Sequence, residues 1–419
     1  MINHKLILIT HNYPYGLGET FLETEIQYLA EEFKEILIIC KNVHDKDCRK
    51  VPKNVTVKRF NPKSSFIRKF IFPFLILTRP RQLLFDLKTE LNVLKTIYAF
   101  KINISRLNML FHFMAKGLEF SYYLLKEMNK ENKSYLLYSY WLDNSAYSIK
   151  LLSGEIHVNK TISRAHRGEI YFESSKTEYQ PMFKILCDGL DEIYFISRNG
   201  KRYFQEKLGI KEGLSHLKIS RLGVINDENR QFSTPLNKIF LIVSCSNLIT
   251  VKRIDLIIKA LSLFQYEKID WIHIGGGPEY NKLCEEAKRL LKKSANIEFN
   301  FIGSLSNQEV FDFYEKNEVS LIVNVSASEG IPVSLMEAFS FGIPAIATNV
   351  GGTSELVNNS NGILLNSNPS AEELFEAIRE FYLLSDSEIL VYRENAFHTW
   401  KKNYNSKNYK KFSTMLISR

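Results

Sequence analysis

The chain is poor in the features that mark a stapled or membrane-embedded protein. Five cysteines are scattered at 40, 48, 187, 245 and 284 among 419 residues. An odd number without a C-x-x-C pair speaks against a disulfide framework and a thiolate zinc site, and a reducing cytoplasm is the expected compartment. No run approaches the ~18 uncharged apolar residues of a membrane-spanning helix. The nearest stretch, 66–85, is interrupted by Arg68, Lys69, Pro73 and Arg79. The first apolar run, LILIT at 6–10, is too short for a signal-peptide core and reads as a buried strand. The glycine pairs are incomplete as dinucleotide fingerprints: Gly16-x-Gly18 is followed by Phe21 and Gly275-x-Gly277 by Tyr280, where G-x-G-x-x-G needs glycine. The phosphate-loop pattern G-x-x-x-x-G-K-[ST] is absent, and so is any recognised nucleic-acid module.

What is present is an ordinary globular composition, 45% hydrophobic and 24% charged, with 55 Lys plus Arg against 46 Asp plus Glu. That length favours two or three domains. The net charge of +9 suits a phosphate-bearing ligand, a nucleic acid or an anionic lipid surface without choosing among them. Short apolar runs alternate with amphipathic helical patterns. The first half carries strand-like runs at 6–10, 35–40, 55–60, 134–140, 160–166, 192–197 and 217–224. After a polar stretch at 225–237 the alternation restarts with runs at 238–246, 268–274, 296–303, 318–326 and 343–350. Such alternation predicts doubly wound α/β domains, each a parallel sheet covered on both faces. The expected division is 1–224, a linker at 225–237, a second domain at 238–395 and a C-terminal helix at 396–419.

The stretch SEGIPVSLMEAFSFGIPAIATNVGGTSELV, 328–357, holds the most chemistry. Pro332 belongs in a loop or a first helical turn and Gly342 just past a helix end, which predicts a helix between them. Glu329 then lies in the loop feeding the helix and Glu337 about a turn inside it. Amides of Gly330, Ile331 and Val333 surround a helix start, where unpaired N–H groups favour an anion such as a diphosphate. A carboxylate there can accept from vicinal sugar hydroxyls. The plainer alternative makes Glu329 a helix-start acid and Glu337 a solvated helix residue.

The Glu-x7-Glu pair, the following Gly342, and Val350-Gly351-Gly352-Thr353-Ser354-Glu355 resemble the donor-site signature of retaining GT-B glycosyltransferases of family 4. So do SCSNLITVKRIDLIIKAL (244–261), HIGGGPEYNKL, FIGSLSNQEVFDFY, the first loop HNYPYGLGETF and TISRAHRGE (161–169). The resemblance spans nearly the whole chain and implies two Rossmann-like domains facing each other across a cleft, with a C-terminal helix crossing back. It implies that Lys252 neutralises the donor diphosphate, Glu337 holds the nucleotide ribose, and Glu329 contacts the donor sugar, with Gly330 and Ile331 lending amides. His166 matches a histidine beside the transferred sugar. Gly275, Gly276, Gly277, Gly303 and Ser304 fall where the family's loops approach the base, and Gly16 and Gly18 in its first loop. Three positions depart from the family pattern. Asn247 stands where it often has arginine, Pro332 where it commonly has glycine, and Arg253, also at a usual glycine, is the candidate for the missing phosphate charge.

The resemblance therefore implies a retaining hexosyltransferase moving a sugar from a nucleotide-sugar, UDP-linked first and GDP-linked second, to a glycan or polyprenyl-linked acceptor in bacterial surface-polysaccharide assembly. No metal or cofactor is expected, and no nucleic acid. A basic, aromatic-rich segment at 58–85 reads either as a peripheral membrane contact or as a buried connection with a charged edge. Trp141 and Asp143 read as acceptor-side residues or as a core aromatic and a turn aspartate. His166, by position alone, is as readily structural; its neighbours Arg164 and Arg167 should keep it neutral. The rivals are a non-catalytic partner subunit and a nucleotide-sugar epimerase on the same fold.

Overall fold

The computed structural model describes residues 4–16, 18–41, 44–45, 47–64, 79–97, 104–131, 133–210, 213–233, 239–292 and 296–417. The core of the 58–85 segment, 65–78, and part of the 225–237 linker lie outside the described residues. The chain forms two compact units, Met1–Arg221 with Lys407–Arg419, and Leu222–Ser406.

The first unit is built on a seven-stranded parallel sheet of β1 (Lys5–Thr10), β2 (Ile36–Cys40), β3 (Val55–Arg59), β4 (Tyr135–Ser139), β5 (Val158–Ala165), β6 (Glu192–Phe195) and β7 (Leu217–Ile219), in the order β3-β2-β1-β4-β5-β6-β7. The central strands β1 and β2 are almost wholly apolar because both faces are covered. Ile7, Ile9, Leu37, Ile39 and Leu137 join one core, and Leu6, Leu8, Ile36, Ile38 and Leu136 a second. The second core also takes Phe412 and Leu416 from the C-terminal helix Lys407–Ile417, which packs on helix Phe21–Glu32. Beneath it lies a polar network. Arg164 Nη2 pairs with Glu25 Oε2 at 3.1 Å, its Nε donates to Tyr138 Oη at 3.0 Å, and Tyr138 Oη donates to Glu25 Oε1 at 2.8 Å. All three residues are buried, and the guanidinium sits 4.3 Å from the Phe412 ring centre.

The second unit holds a six-stranded parallel sheet of β8 (Phe240–Cys245), β9 (Ile269–Ile274), β10 (Ile297–Gly303), β11 (Leu321–Asn324), β12 (Ala345–Thr348) and β13 (Gly362–Leu365), in the order β10-β9-β8-β11-β12-β13. The twelve strand-like runs read from the sequence all appear; β13, a short half-exposed edge strand in an Asn-rich stretch, is the addition. The stretch read as one C-terminal helix over 396–419 is broken. Helix Asp386–Asn403 ends at Tyr404, and Lys407–Ile417 begins after Asn405 and Ser406, residues that favour helix ends over interiors. Gly223 passes so close to this break that a Cβ there would lie 2.5 Å from the Asn405 carbonyl oxygen. Among the described residues no helix is long and apolar enough to cross a membrane.

In open parallel sheets, ligands gather at the strand C-termini where the strand order reverses. Those points are β1/β4 in the first unit and β8/β11 in the second.

Candidate functional site

In the second unit, the loops leaving β8 and β11 are tied to each other. After β8 the chain runs to a short turn, Thr250–Lys252, then to Arg253 in a left-handed conformation (φ 51°), and into helix Ile254–Leu261. After β11 it runs to Pro332, which precedes helix Val333–Ser340; the left-handed Gly342 follows, as the Pro–Gly spacing predicts. Ala327 N donates to the Val251 carbonyl at 2.8 Å. Arg253 Nε donates to the Val325 carbonyl at 2.6 Å, and Nη2 to those of Ser326 and Ser367, both at 3.0 Å. Arg253, read from the sequence as a candidate for the missing phosphate charge, thus ties the loops after β8 and β11 together, its Nη1 also donating to Asn368 Oδ1 at 3.0 Å.

Lys252 Nζ meets Glu329 Oε1 at 2.5 Å. Glu329 is 8% exposed, and Lys252 is its countercharge. An ammonium has three donors, so this contact leaves capacity for an anion. The first-turn amides of helix Val333–Ser340, which have no intrahelical acceptor, begin just beyond Glu329, Gly330 and Ile331. The glycines at 351–352 act on this loop from behind. Gly352 N donates to the Gly330 carbonyl at 2.7 Å, and a Cβ on Gly351 would fall 1.8 Å from the Glu329 carbonyl oxygen.

Glu337 sits a turn inside the helix, where burial pushes its carboxyl up to about 7 while the Asn307 amide, donating to Oε1 at 2.5 Å, works the other way. Cys245, at the end of β8, senses the charges of both Glu337 and Lys252, and burial pushes its thiol up to about 12. The glycine run at 275–277 has a local task. A Cβ on Gly275 would lie 1.9 Å from the Ser246 carbonyl oxygen and one on Gly277 2.5 Å from that of Leu248. These residues therefore let two loops touch and hold the segment bearing exposed Asn247. Gly303 pairs with Gly275, and Ser304 Oγ lies against Gly276.

At the β1/β4 point of the first unit, polar residues follow three strands in succession. His11, just past β1, contacts Asp143 Oδ2 through Nε2 at 2.7 Å. Lys41, just past β2, reaches the same oxygen at 3.3 Å and Ser145 Oγ at 2.7 Å. Burial works to raise the Asp143 carboxyl, but Lys41, His11 and the Ser145 amide together hold it well below the usual carboxylate range. Glu19, itself left-handed, gathers the backbone N–H groups of His11, Asn12 and Tyr13 and the Trp141 indole N–H. Gly16 and Gly18 fit the same tight loop; a Cβ on Gly16 would meet Asp45 Oδ2 at 2.4 Å. Trp141 stacks on His11 and packs against His166, with ring centres 5.3 and 4.6 Å apart.

His166 is buried at the end of β5, and neither ring nitrogen has a hydrogen-bond partner among the described residues. Burial first, then Arg164 and His11, hold its pKa well below the usual range. The direction matches the sequence reading; the chief cause is desolvation rather than the arginine pair. Lys252, Glu329, Gly330 and Ile331 thus converge in the second unit. Glu19, His11, Lys41 and Asn307 are additions. His11 and Lys41 share a signal, polar residues just beyond the ends of neighbouring strands at the reversal point, whereas Glu19, just before helix Phe21–Glu32, and Asn307 carry none.

Residues 226–397 match the family model described as glycosyl transferases group 1. The O-antigen biosynthesis glycosyltransferase WbnH of Escherichia coli is 29% identical over 178 residues, 42% of this chain and 46% of that one. The chain thus spans about half the length of the curated relatives it matches. The glycosyltransferase from Rickettsia africae ESF-5 superposes with a TM-score of 0.66 at 16% identity, covering 100% of both chains. HepE of Anabaena, crystallised with UDP and glucose, does so with a TM-score of 0.64 at 15% identity, covering 99% of both. The two parallel α/β sheets are those of the GT-B fold.

Proposed function

We propose that the chain is a retaining glycosyltransferase that moves a sugar from a nucleotide-sugar to a hydroxyl of a glycan or polyprenyl-linked glycan during assembly of a bacterial surface polysaccharide. The observation that carries this reading is the convergence of Lys252, Glu329 and the start of helix Val333–Ser340 at the β8/β11 reversal point. Departure of a nucleoside diphosphate concentrates negative charge on the leaving oxygens. Lys252 and the helix-start amides are suited to hold that charge, the preorganised electrostatics that count most in such reactions. Glu329 takes the donor-sugar hydroxyls and Glu337 the ribose. His166, kept neutral by burial, offers one donor to the transferred sugar. The match to group 1 glycosyl transferases and the named role of the Escherichia coli relative support the same direction. A UDP-sugar is the first expectation and a GDP-sugar the second. Exposed Leu84 and Phe85, beside Arg79 and Arg81, support a peripheral contact with the anionic membrane that would hold a lipid-linked acceptor.

The test is thermal stabilisation by UDP, GDP and ADP, followed by nucleotide release from the matching sugars. Stabilisation that is lost in Lys252→Ala and Glu337→Ala supports the reading. No stabilisation by any of the three, with no release from any donor, overturns it.

A further inference from the structure

We propose that Asn307 is the positioning residue of the ribose site, its side-chain amide fixing Glu337 so that the second carboxylate oxygen faces the vicinal hydroxyls of a ribonucleotide. This rests on the donor-site reading above and adds to it a residue, and a selectivity, that the sequence pattern does not mark.

Asn307 opens helix Asn307–Lys316, directly after a reciprocal cap in which Ser306 Oγ accepts from Glu309 N at 3.3 Å and Glu309 Oε2 accepts from Ser306 N at 2.7 Å. The backbone from which its side chain departs is therefore held on both sides. Its Nδ2 donates to Glu337 Oε1 at 2.5 Å, and among the described residues no other side chain bonds that carboxylate. Glu337 is also sensed by the Cys245 thiol at the end of β8 and the Tyr314 phenol on the same helix as Asn307, each pushed up by burial. Lys252, in the loop after β8, is paired with Glu329.

An amide in this place has a consequence that an ammonium would not. A lysine or arginine would neutralise Glu337 and compete with sugar hydroxyls for its lone pairs. An amide orients one oxygen, adds no charge, and leaves Oε2 to accept. It also opposes the burial that drives the carboxyl toward its neutral form, in which it accepts poorly. Losing Asn307 should therefore weaken recognition of the ribose specifically and move its dependence on pH.

The experiment compares binding of UDP, GDP and ADP with their 2′,3′-dideoxy counterparts by calorimetry on the full chain, from roughly pH 6 to 9. The intact chain is expected to prefer the ribonucleotide by about tenfold once Glu337 is ionised, and to lose that preference as the pH falls. Asn307→Ala should reduce the preference to within about threefold near neutrality, and recover part of it at the alkaline end as Glu337 ionises without help. Asn307→Asp, which places a second carboxyl beside the first, should shift the midpoint further upward. An Asn307→Ala chain with an unchanged preference and midpoint overturns the inference, as does an intact chain that binds ribo- and dideoxynucleotides alike. If the intact chain binds none of the six nucleotides, the donor-site reading itself has failed. Asn307 is exposed, and unchanged melting of the variants in the absence of nucleotide separates loss of recognition from loss of fold.

Discussion

Lys252 Nζ meets Glu329 Oε1 at 2.5 Å, joining two residues 77 apart in the chain. The contact crosses the gap between the loops after β8 and β11, so one ion pair couples the two strands at which the order of the sheet reverses. Glu329 is mostly buried and Lys252 partly so. Each depends on the other in the fold as well as in the proposed reaction.

Lys252→Ala should therefore do two separable things. It leaves a buried carboxylate without its countercharge, lowering stability by about 1–3 kcal/mol in chemical denaturation. It also weakens nucleoside diphosphate binding. Adding Glu329→Gln should restore much of the stability and none of the nucleotide affinity. A double variant no more stable than Lys252→Ala would show that the pair is not coupled in the fold.

Arg253 bonds three carbonyl oxygens and the Asn368 side chain from a left-handed backbone position. Arg253→Ala should cost about 2 kcal/mol through unsatisfied carbonyls. Arg253→Gly loses the same bonds but is relieved of the left-handed strain, and should be more stable than the alanine variant by about 1 kcal/mol. Equal melting of the two variants would mean that position 253 does not keep this conformation in solution.

The Glu25–Arg164 pair has no access to solvent, so removing either partner abandons a charge in the core. Glu25→Ala should cost about 3–5 kcal/mol. Cleavage of the chain within Lys407–Ile417 by limited proteolysis should become faster, because that helix packs over the pair. Proteolysis that proceeds at the rate of the unsubstituted chain would count against this account.

Glu90 is buried, its Oε1 accepting from Tyr179 Oη at 2.7 Å, and burial lifts its carboxyl from 4.5 to about 7. Because the folded value is raised, its contribution to stability is fully present below 4.5 and is lost as the pH rises through about 7. Glu90→Gln should remove this slope, flattening stability between roughly pH 5 and 8 by up to about 3 kcal/mol. Urea midpoints for the two chains across that range would decide it, and parallel curves would count against the shift.

Much of the fold is legible in the sequence because parallel strands buried on both faces read as unbroken apolar runs, as in LILIT and EILIIC. β13 is not, since four residues between asparagines, three of them half-exposed, look like a loop until β12 pairs with them. The donor loop is legible in part. Pro332 and Gly342 bracket a helix by local stereochemistry, and the position of Glu329 follows from it. The destination of the Arg253 side chain does not, because it depends on which carbonyls β11 brings nearby. Asn307 is hidden for the same reason: a polar residue at a helix start is ordinary until Glu337, thirty positions on, is placed against it.

The return of Lys407–Arg419 to the first unit means that the second is an uninterrupted insertion within the first. During synthesis, Leu222–Ser406 is all made before the first unit has the residues that cover its Glu25–Arg164 pair. The unit begun first is thus finished last. Deleting Lys407–Ile417 should harm the unit that holds the Glu25–Arg164 pair while leaving Leu222–Ser406 able to fold.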